Sequence, residues 1–160
     1  MSIRKVSIND LADILRIEQL SFTPEKAGAE VQYVKRIKEL NDAFLVTVID
    51  IQVVGFIVGP DVHEKTISGW MYEEIQLQGI VGGNQIVLMI AVDSSFQDYH
   101  VGSRLLNSLF EIAEKTIQNR LLLLVYKKYY FLRKNGFVNI SQSAYKHTNE
   151  VWYDFIKKLK

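Results

Sequence analysis

Residues 85–115, QIVLMIAVDSSFQDYHVGSRLLNSLFEIAEK, hold the arrangement best suited to chemistry: an apolar run, a polar turn and an amphipathic stretch in direct succession. Read as strand, turn and helix, the junction leaves the amides of the helix's first turn without intrahelical carbonyl partners. The aligned peptide dipoles add partial positive charge at the same place. Together they suit an anion, a pyrophosphate among others. Gly102 lets the backbone approach an oxyanion with no Cβ in the way. Ser103 adds a hydroxyl donor, and Gln97 can reach back across the loop. Taken alone, these features also describe a plain strand–turn–helix junction with a glycine near the helix start.

The elements that must position this segment follow from pattern. Residues 2–6 form a short strand. Ser7 with Asp10 resembles a capping box that opens a helix over Leu11, Ile14, Leu15 and Ile17. Thr23-Pro24 is a second helix start, with Val31, Val34, Ile37 and Leu40 at helical spacing behind it. Phe44–Ile49 and Val53–Val58 read as an antiparallel hairpin turning at 50–52. Gly79, Gly82 and Gly83 mark a flexible connection, preceded by a short helix at 69–77. Gln85–Val92 reads as one strand buried on both faces. A helix at 101–118 follows, with Leu105, Leu109, Ile112 and Ala113 on one side, then a buried strand at Leu121–Val125 and a short helix at 127–134. Phe137–Ser141 and Val151–Leu159 close the chain. The order β-α-α-β-β-β-α-β-α-β-β predicts an α/β fold built on one mixed, partly parallel sheet of about seven strands.

Composition narrows the function classes. The chain has 160 residues, 48% hydrophobic and 23% charged, which fits one globular domain with a substantial core. A net charge of +1, from 19 basic and 18 acidic side chains, gives no field that would draw a nucleic acid. There is no cysteine, so disulfides, thiolate metal sites and a cysteine nucleophile are excluded. No metal is expected. The opening MSIRKVSIND lacks the apolar stretch of a signal peptide, and no run is long enough to span a membrane. The expectation is a cytoplasmic protein with neither nucleic acid nor membrane as partner.

The 85–115 segment resembles the coenzyme A-binding core of the GNAT superfamily of N-acetyltransferases, whose pattern is Arg/Gln-x-x-Gly-x-Gly/Ala. Gln97 and Gly102 match it, as do the flanking Ile90-Ala91-Val92 and Leu105-Leu106; His100 stands where the pattern has its first glycine. FLRKNGF at 131–137 is similar to the family's second signature, a short helix ending in Gly-Phe, where Gly136 suits a left-handed C-cap. IEQLSFTPEKA at 17–27, GFIVGP at 55–60 and VWYDF at 151–155 resemble a bacterial branch close to aralkylamine N-acetyltransferases.

The resemblance implies a single GNAT-like domain over 1–160, helices on both faces of its sheet, and acetyl-coenzyme A as cosubstrate. It further implies a primary amine of a small molecule, an arylalkylamine or polyamine, as acceptor. The implied cofactor contacts are Gln97, Asp98, Tyr99, His100, Val101, Gly102 and Ser103 at the pyrophosphate, and Ile90, Ala91 and Val92 along the pantetheine arm. Phe22 and Met89 are the implied acceptor contacts, with Trp70 a further aromatic candidate. A neutral amine would attack the thioester carbonyl. The chemistry then needs oxyanion stabilisation, deprotonation of the ammonium and protonation of the departing sulfur.

The family's usual acid, a tyrosine four residues before the glycine of Gly-Phe, is replaced by Leu132. Tyr130, or Tyr129, is the candidate substitute; both also read as packed aromatics. The strand before the turn has no histidine. Glu18 on the first helix is the candidate base, acting through a water; it also reads as a solvated helix residue. Glu73 and Glu74 are further carboxylates, and His63 and His147 read as surface loop residues. Lys127, Lys128, Arg133 and Lys134 form a basic group that reads as a phosphate contact or a solvated face. An acyl-coenzyme A-binding sensor without turnover is the competing class, and a monomer or homodimer is expected. A dinucleotide-binding oxidoreductase fails on layout, because its three spaced glycines after the first strand are missing.

Overall fold

The computed structural model describes residues 1–24, 29–73, 82–116, 118–125, 129–146 and 149–159. These fall into two compact units, Met1–Gly59 with Met89–Leu109, and Pro60–Leu88 with Phe110–Lys160.

In the first unit, strands β1 (Ser2–Lys5), β2 (Phe44–Ile49), β3 (Gln52–Val58) and β6 (Met89–Val92) form an antiparallel sheet in the order β1-β2-β3-β6. The Ser7–Asp10 box forms as its spacing predicts: the Asn9 amide donates to Ser7 Oγ and the Ser7 amide to Asp10 Oδ2. Arg4 grips the same carboxylate through both terminal nitrogens, at 2.8 and 2.9 Å, holding Asp10 below the usual carboxylate range. Helix α1 (Leu11–Ser21) follows and buries Ile14 and Ile17.

Helix α2 (Glu30–Glu39) starts later than the Thr23-Pro24 signal predicts, Pro24 lying in a turn. Its buried face is Tyr33, Arg36 and Ile37 rather than the expected Val31, which is 73% exposed. The large apolar area of an aromatic ring decides which stripe faces inward. Tyr33, Phe44 and Phe56, all fully buried, place their ring centroids about 6 Å apart on one side of β2 and β3. On the other side, Val101 and Leu105 of helix α3 (Val101–Lys115) lie over Gly55. Helices thus cover both faces of this sheet.

The β2–β3 turn uses Asp50 and Ile51, with φ of 47° and 66°. Two left-handed residues in a two-residue loop match the twist of a hairpin, but Asn-Gly is the pair that adopts them without strain. Ile51 is β-branched and fully exposed, so it has no packing to offset a left-handed backbone. Ile51→Gly is expected to stabilise the protein by about 1 kcal/mol, the left-handed penalty less the entropy of a glycine. A melting temperature raised by roughly 2–4 °C is the corresponding readout.

The second unit holds a sheet ordered β4-β5-β7-β9-β8, from β4 (Asp61–Val62), β5 (Asn84–Val87), β7 (Arg120–Val125), β9 (Tyr153–Lys158) and β8 (Val138–Gln142). β5 and β7 run parallel, and the other pairs among the described strands are antiparallel. Helix α4 (Tyr129–Lys134) ends as its Gly-Phe signature predicts. Gly136 has φ of 87°, its amide donates to Arg133, and the Phe137 amide donates to Leu132, a Schellman closure. Phe137 returns to the core.

In place of the one sheet of about seven strands expected from sequence, the described residues form two sheets, of four and five strands. The run 85–92 is not a single strand: it breaks at Leu88, and its two halves belong to different sheets. From Ile86 to Val92 every side chain is apolar, so the pattern has no alternation to reveal where the pairing changes.

Candidate active site

The site is assembled in the first unit from the edge of β6, the turn after it and the start of α3. β6 closes its sheet on one side, and no described residue pairs with its other edge. The Asp93 amide donates to the Val54 carbonyl at 2.8 Å, and the register continues as Phe56↔Ala91 and Val58↔Met89. Antiparallel ladders alternate, so the peptide groups of Ile90 and Val92 point away from β3 toward the open edge. Met89, Ile90 and Val92 are half-buried, as a strand facing an open edge should be, and Ala91 is buried.

β6 is followed by Asp93, which is 5% exposed and accepts from the Ser95 amide at 3.0 Å, starting a tight helical turn over Ser94–Tyr99. Arg16 of α1 donates to Asp93 Oδ2 at 2.6 Å and to the Val53 carbonyl at 3.2 Å, with Asp13 at 3.4 Å beside it. The Arg16 hydrogen bond, then the Ser95 amide, holds the Asp93 carboxyl below its ordinary range. Neither Arg16 nor Asp93 was among the site residues expected from sequence. The Asp-Ser-Ser run after an apolar strand is the signal that marks Asp93 as a cap; nothing local marks Arg16 as its partner.

His100 closes the turn in a left-handed conformation, φ 58° and ψ 21°. The pattern's first glycine is thus replaced by a residue that still adopts glycine's backbone, which histidine does more readily than most. α3 begins immediately, and its first α-type bond runs from the Arg104 amide to the His100 carbonyl. The amides of Val101, Gly102 and Ser103 find no acceptor among the described residues. Three unpaired donors at the positive end of a 15-residue helix are an arrangement that can cradle an oxyanion. Gln97, Asp98, Tyr99, His100 and Arg104 are exposed around it, with Tyr99 packed on Phe96 at 5.7 Å; Asp98 is the one carboxylate on this rim.

Glu18 is not the solvated residue of one reading. It is 1% exposed and accepts from the Tyr33 hydroxyl at 2.6 Å, tying α1 to α2. Burial first, then the Glu18 charge, pushes the Tyr33 phenol well above its ordinary value. Phe22, half-buried, caps the C-terminus of α1 in an extended conformation.

The other candidates lie in the second unit. Tyr130 is 80% exposed, and Leu132 is buried. Tyr129 stacks on Phe155 at 5.9 Å and meets Tyr153 edge-on at 5.6 Å. Trp70 is half-buried, and His63, Glu73, Arg133 and Lys134 are exposed. Glu74, Lys127, Lys128 and His147 lie outside the described residues. No group of three or more His, Asp or Glu that could hold a metal occurs among the described residues, and no described helix is long and apolar enough to cross a membrane.

No family model and no curated sequence matches the chain. Solved structures do. Ard1 from Thermoplasma volcanium superposes with a TM-score of 0.80 at 23% identity, over 99% of this chain and 97% of that one. The GNAT-like decarboxylase GphF, in complex with isobutyryl-CoA, gives 0.83 at 13% identity with both chains fully covered. Arabidopsis thaliana Naa50, bound to the bisubstrate analogue CoA-Ac-MVNAL, gives 0.73 at 17% identity over 99% and 98% of the chains. The fold is that of the GNAT proteins.

Proposed function

We propose that the protein is an acetyl-coenzyme A-dependent N-acetyltransferase acting on a primary amine. The observation that carries this reading is the juxtaposition within one unit of an open strand edge at Ile90 and Val92 and the unpaired amides of Val101, Gly102 and Ser103. The edge offers alternating N–H and C=O groups to the amides of a pantetheine arm. The helix start offers donors to the two linked phosphates, and Arg104, exposed on its first turn, adds a cation. Acetyl-coenzyme A supplies the thioester that the amine attacks. A β6 amide facing the open edge is the oxyanion donor in this reading. Tyr130 is the candidate acid in this reading, and a thiol of pKa near 8.5 also leaves tolerably without one. Glu18 acts on the acceptor side only if its bond to Tyr33 opens; with that bond closed it positions α1 against α2.

The acceptor is proposed to be a small-molecule amine, an arylalkylamine or polyamine first. A protein N-terminus is the second reading, favoured by the likeness to Naa50 with its CoA-Ac-MVNAL analogue. Thiol release from acetyl-coenzyme A across both amine classes separates them. Turnover on neither, with coenzyme A still bound, identifies an acyl-coenzyme A sensor instead. No heat on titrating coenzyme A overturns the reading altogether.

His100→Gly tests whether the cradle is made of backbone. The variant should bind coenzyme A as tightly as the parent and gain about 0.5 kcal/mol from relief of the left-handed histidine. Affinity lost by tenfold or more, in titration calorimetry, would assign the grip to the imidazole.

A further inference from the structure

In the second unit, an open cavity of about 350 Å³ is lined by His63, Lys65, Gly82, Asn84, Asn119, Lys158 and Leu159. It lies where β4 ends, where β5 and β7 begin and where β9 ends, so four chain segments converge on it. Hydrogen bonds fix these walls to one another. Asn84, 5% exposed, donates from its side-chain amide to the Glu64 carbonyl at 2.7 Å, which holds the segment carrying His63 and Lys65. Asn119 donates from its side chain to the Gly82 carbonyl and from its backbone to Gly83, and its own carbonyl accepts from the Leu159 amide at 3.0 Å.

The charge lining this preformed hollow has one sign. Lys65, Lys158 and His63 line it, and no carboxylate among the described residues does. Neither lysine has an ion pair among the described residues. Glu64 is the adjacent carboxylate; one of its oxygens is buried without a hydrogen-bond partner, and it pairs with neither lysine. Both ammonium groups are exposed and hydrated, and among the described residues no counter-charge competes for their donors. An oxyanion in the cavity exchanges that water for charge-assisted hydrogen bonds, since ammonium groups are strong donors to phosphate oxygens.

We infer that this cavity binds a small phosphorylated ligand, at a site separate from the helix-start cradle. The site belongs to the second unit and uses side-chain cations, whereas the cradle belongs to the first and uses backbone amides. A ligand here has no part in acetyl transfer as argued above, so the inference stands or falls independently of that reading.

The test is amide chemical-shift mapping of the full chain titrated with pyrophosphate, in the presence of saturating coenzyme A. Shifts at Lys65, Asn84, Asn119 and Lys158 are expected, with Gly102 and Ser103 unmoved. The Lys65→Ala/Lys158→Ala double variant should weaken that response at least tenfold while its coenzyme A affinity and melting temperature stay at the parent values. Both lysines are exposed, so this variant is expected to fold. Citrate serves as the second arm: a response to citrate equal to that for pyrophosphate would reassign the ligand class from phosphate to polycarboxylate. No shift at millimolar pyrophosphate, or shifts unchanged in the double variant, overturns the proposal.

Discussion

Gly55→Val is expected to cost about 3 kcal/mol and to abolish coenzyme A binding at the temperature where the parent binds. A Cβ at Gly55 would lie 2.9 Å from Val101 Cγ1, 3.1 Å from the Ala91 carbonyl oxygen and 3.4 Å from Leu105 Cδ1. The side chains can turn; the carbonyl oxygen cannot, because it belongs to β6. Overpacking of this kind costs about 1–3 kcal/mol, and valine adds two further methyl groups to the clash. The same step lifts the start of α3 away from the end of β6, separating the cradle from the strand edge. Urea unfolding should show the loss as a lowered midpoint with an unchanged slope. Gly55→Ala should fall between valine and the parent, and Val101→Ala should recover part of the deficit in the Gly55→Val background. A valine variant with the parent's midpoint would mean that α3 does not rest on Gly55.

Asp93→Ala is expected to cost about 2 kcal/mol, the value of charged hydrogen bonds lost from a buried acceptor. Arg16 tempers the loss, because its side chain is 37% exposed and water can take over part of its solvation. Asp93→Asn should cost about half as much, since a side-chain oxygen can still accept from Ser95. Both should weaken coenzyme A binding, because the turn leading to the cradle begins at this cap. The carboxylate also sets an acid limit. Its folded pKa is depressed, so its contribution is fully present above the unfolded value near 4 and is lost as pH falls through the lower folded one. Asp10, held low by Arg4, acts in the same direction. Parent stability should therefore fall below about pH 4, and the Asp93→Ala variant should lose less of its own over that range. Equal slopes of stability against pH in the two proteins would remove Asp93 from this account.

What could be read in the sequence was whatever a few adjacent residues decide. The Ser7–Asp10 box, the Gly136 closure and the helix start at Val101 each rest on hydrogen bonds spanning five residues or fewer, and each forms as expected. The backbone part of the candidate site was legible for the same reason. What escaped depends on partners far along the chain. Arg16 meets Asp93 across 77 positions, and Glu18 meets Tyr33 across 15, with no local mark on either. On α2, Ile37 and Leu40 are buried as expected, but Val31 is exposed and Tyr33 buried in its place, because the ring partners of Tyr33, Phe44 and Phe56, arrive later in the chain. The break at Leu88 was hidden because Ile86–Val92 has no polar residue to mark a change of sheet.

That break bears on how the chain comes to be folded during synthesis. The first four-stranded sheet takes three strands from residues before Gly59 and its last from Met89–Val92, while the second needs β9 near the end of the chain. A ribosome that has released the first 59 residues has exposed a hairpin and two helices whose sheet lacks its closing strand. Neither half can be excised as a gene fragment, because each is built from two stretches interleaved with those of the other. Nascent chains halted before Val92 should accordingly bind chaperones and be cut readily by protease, and protection should appear only once that strand has emerged.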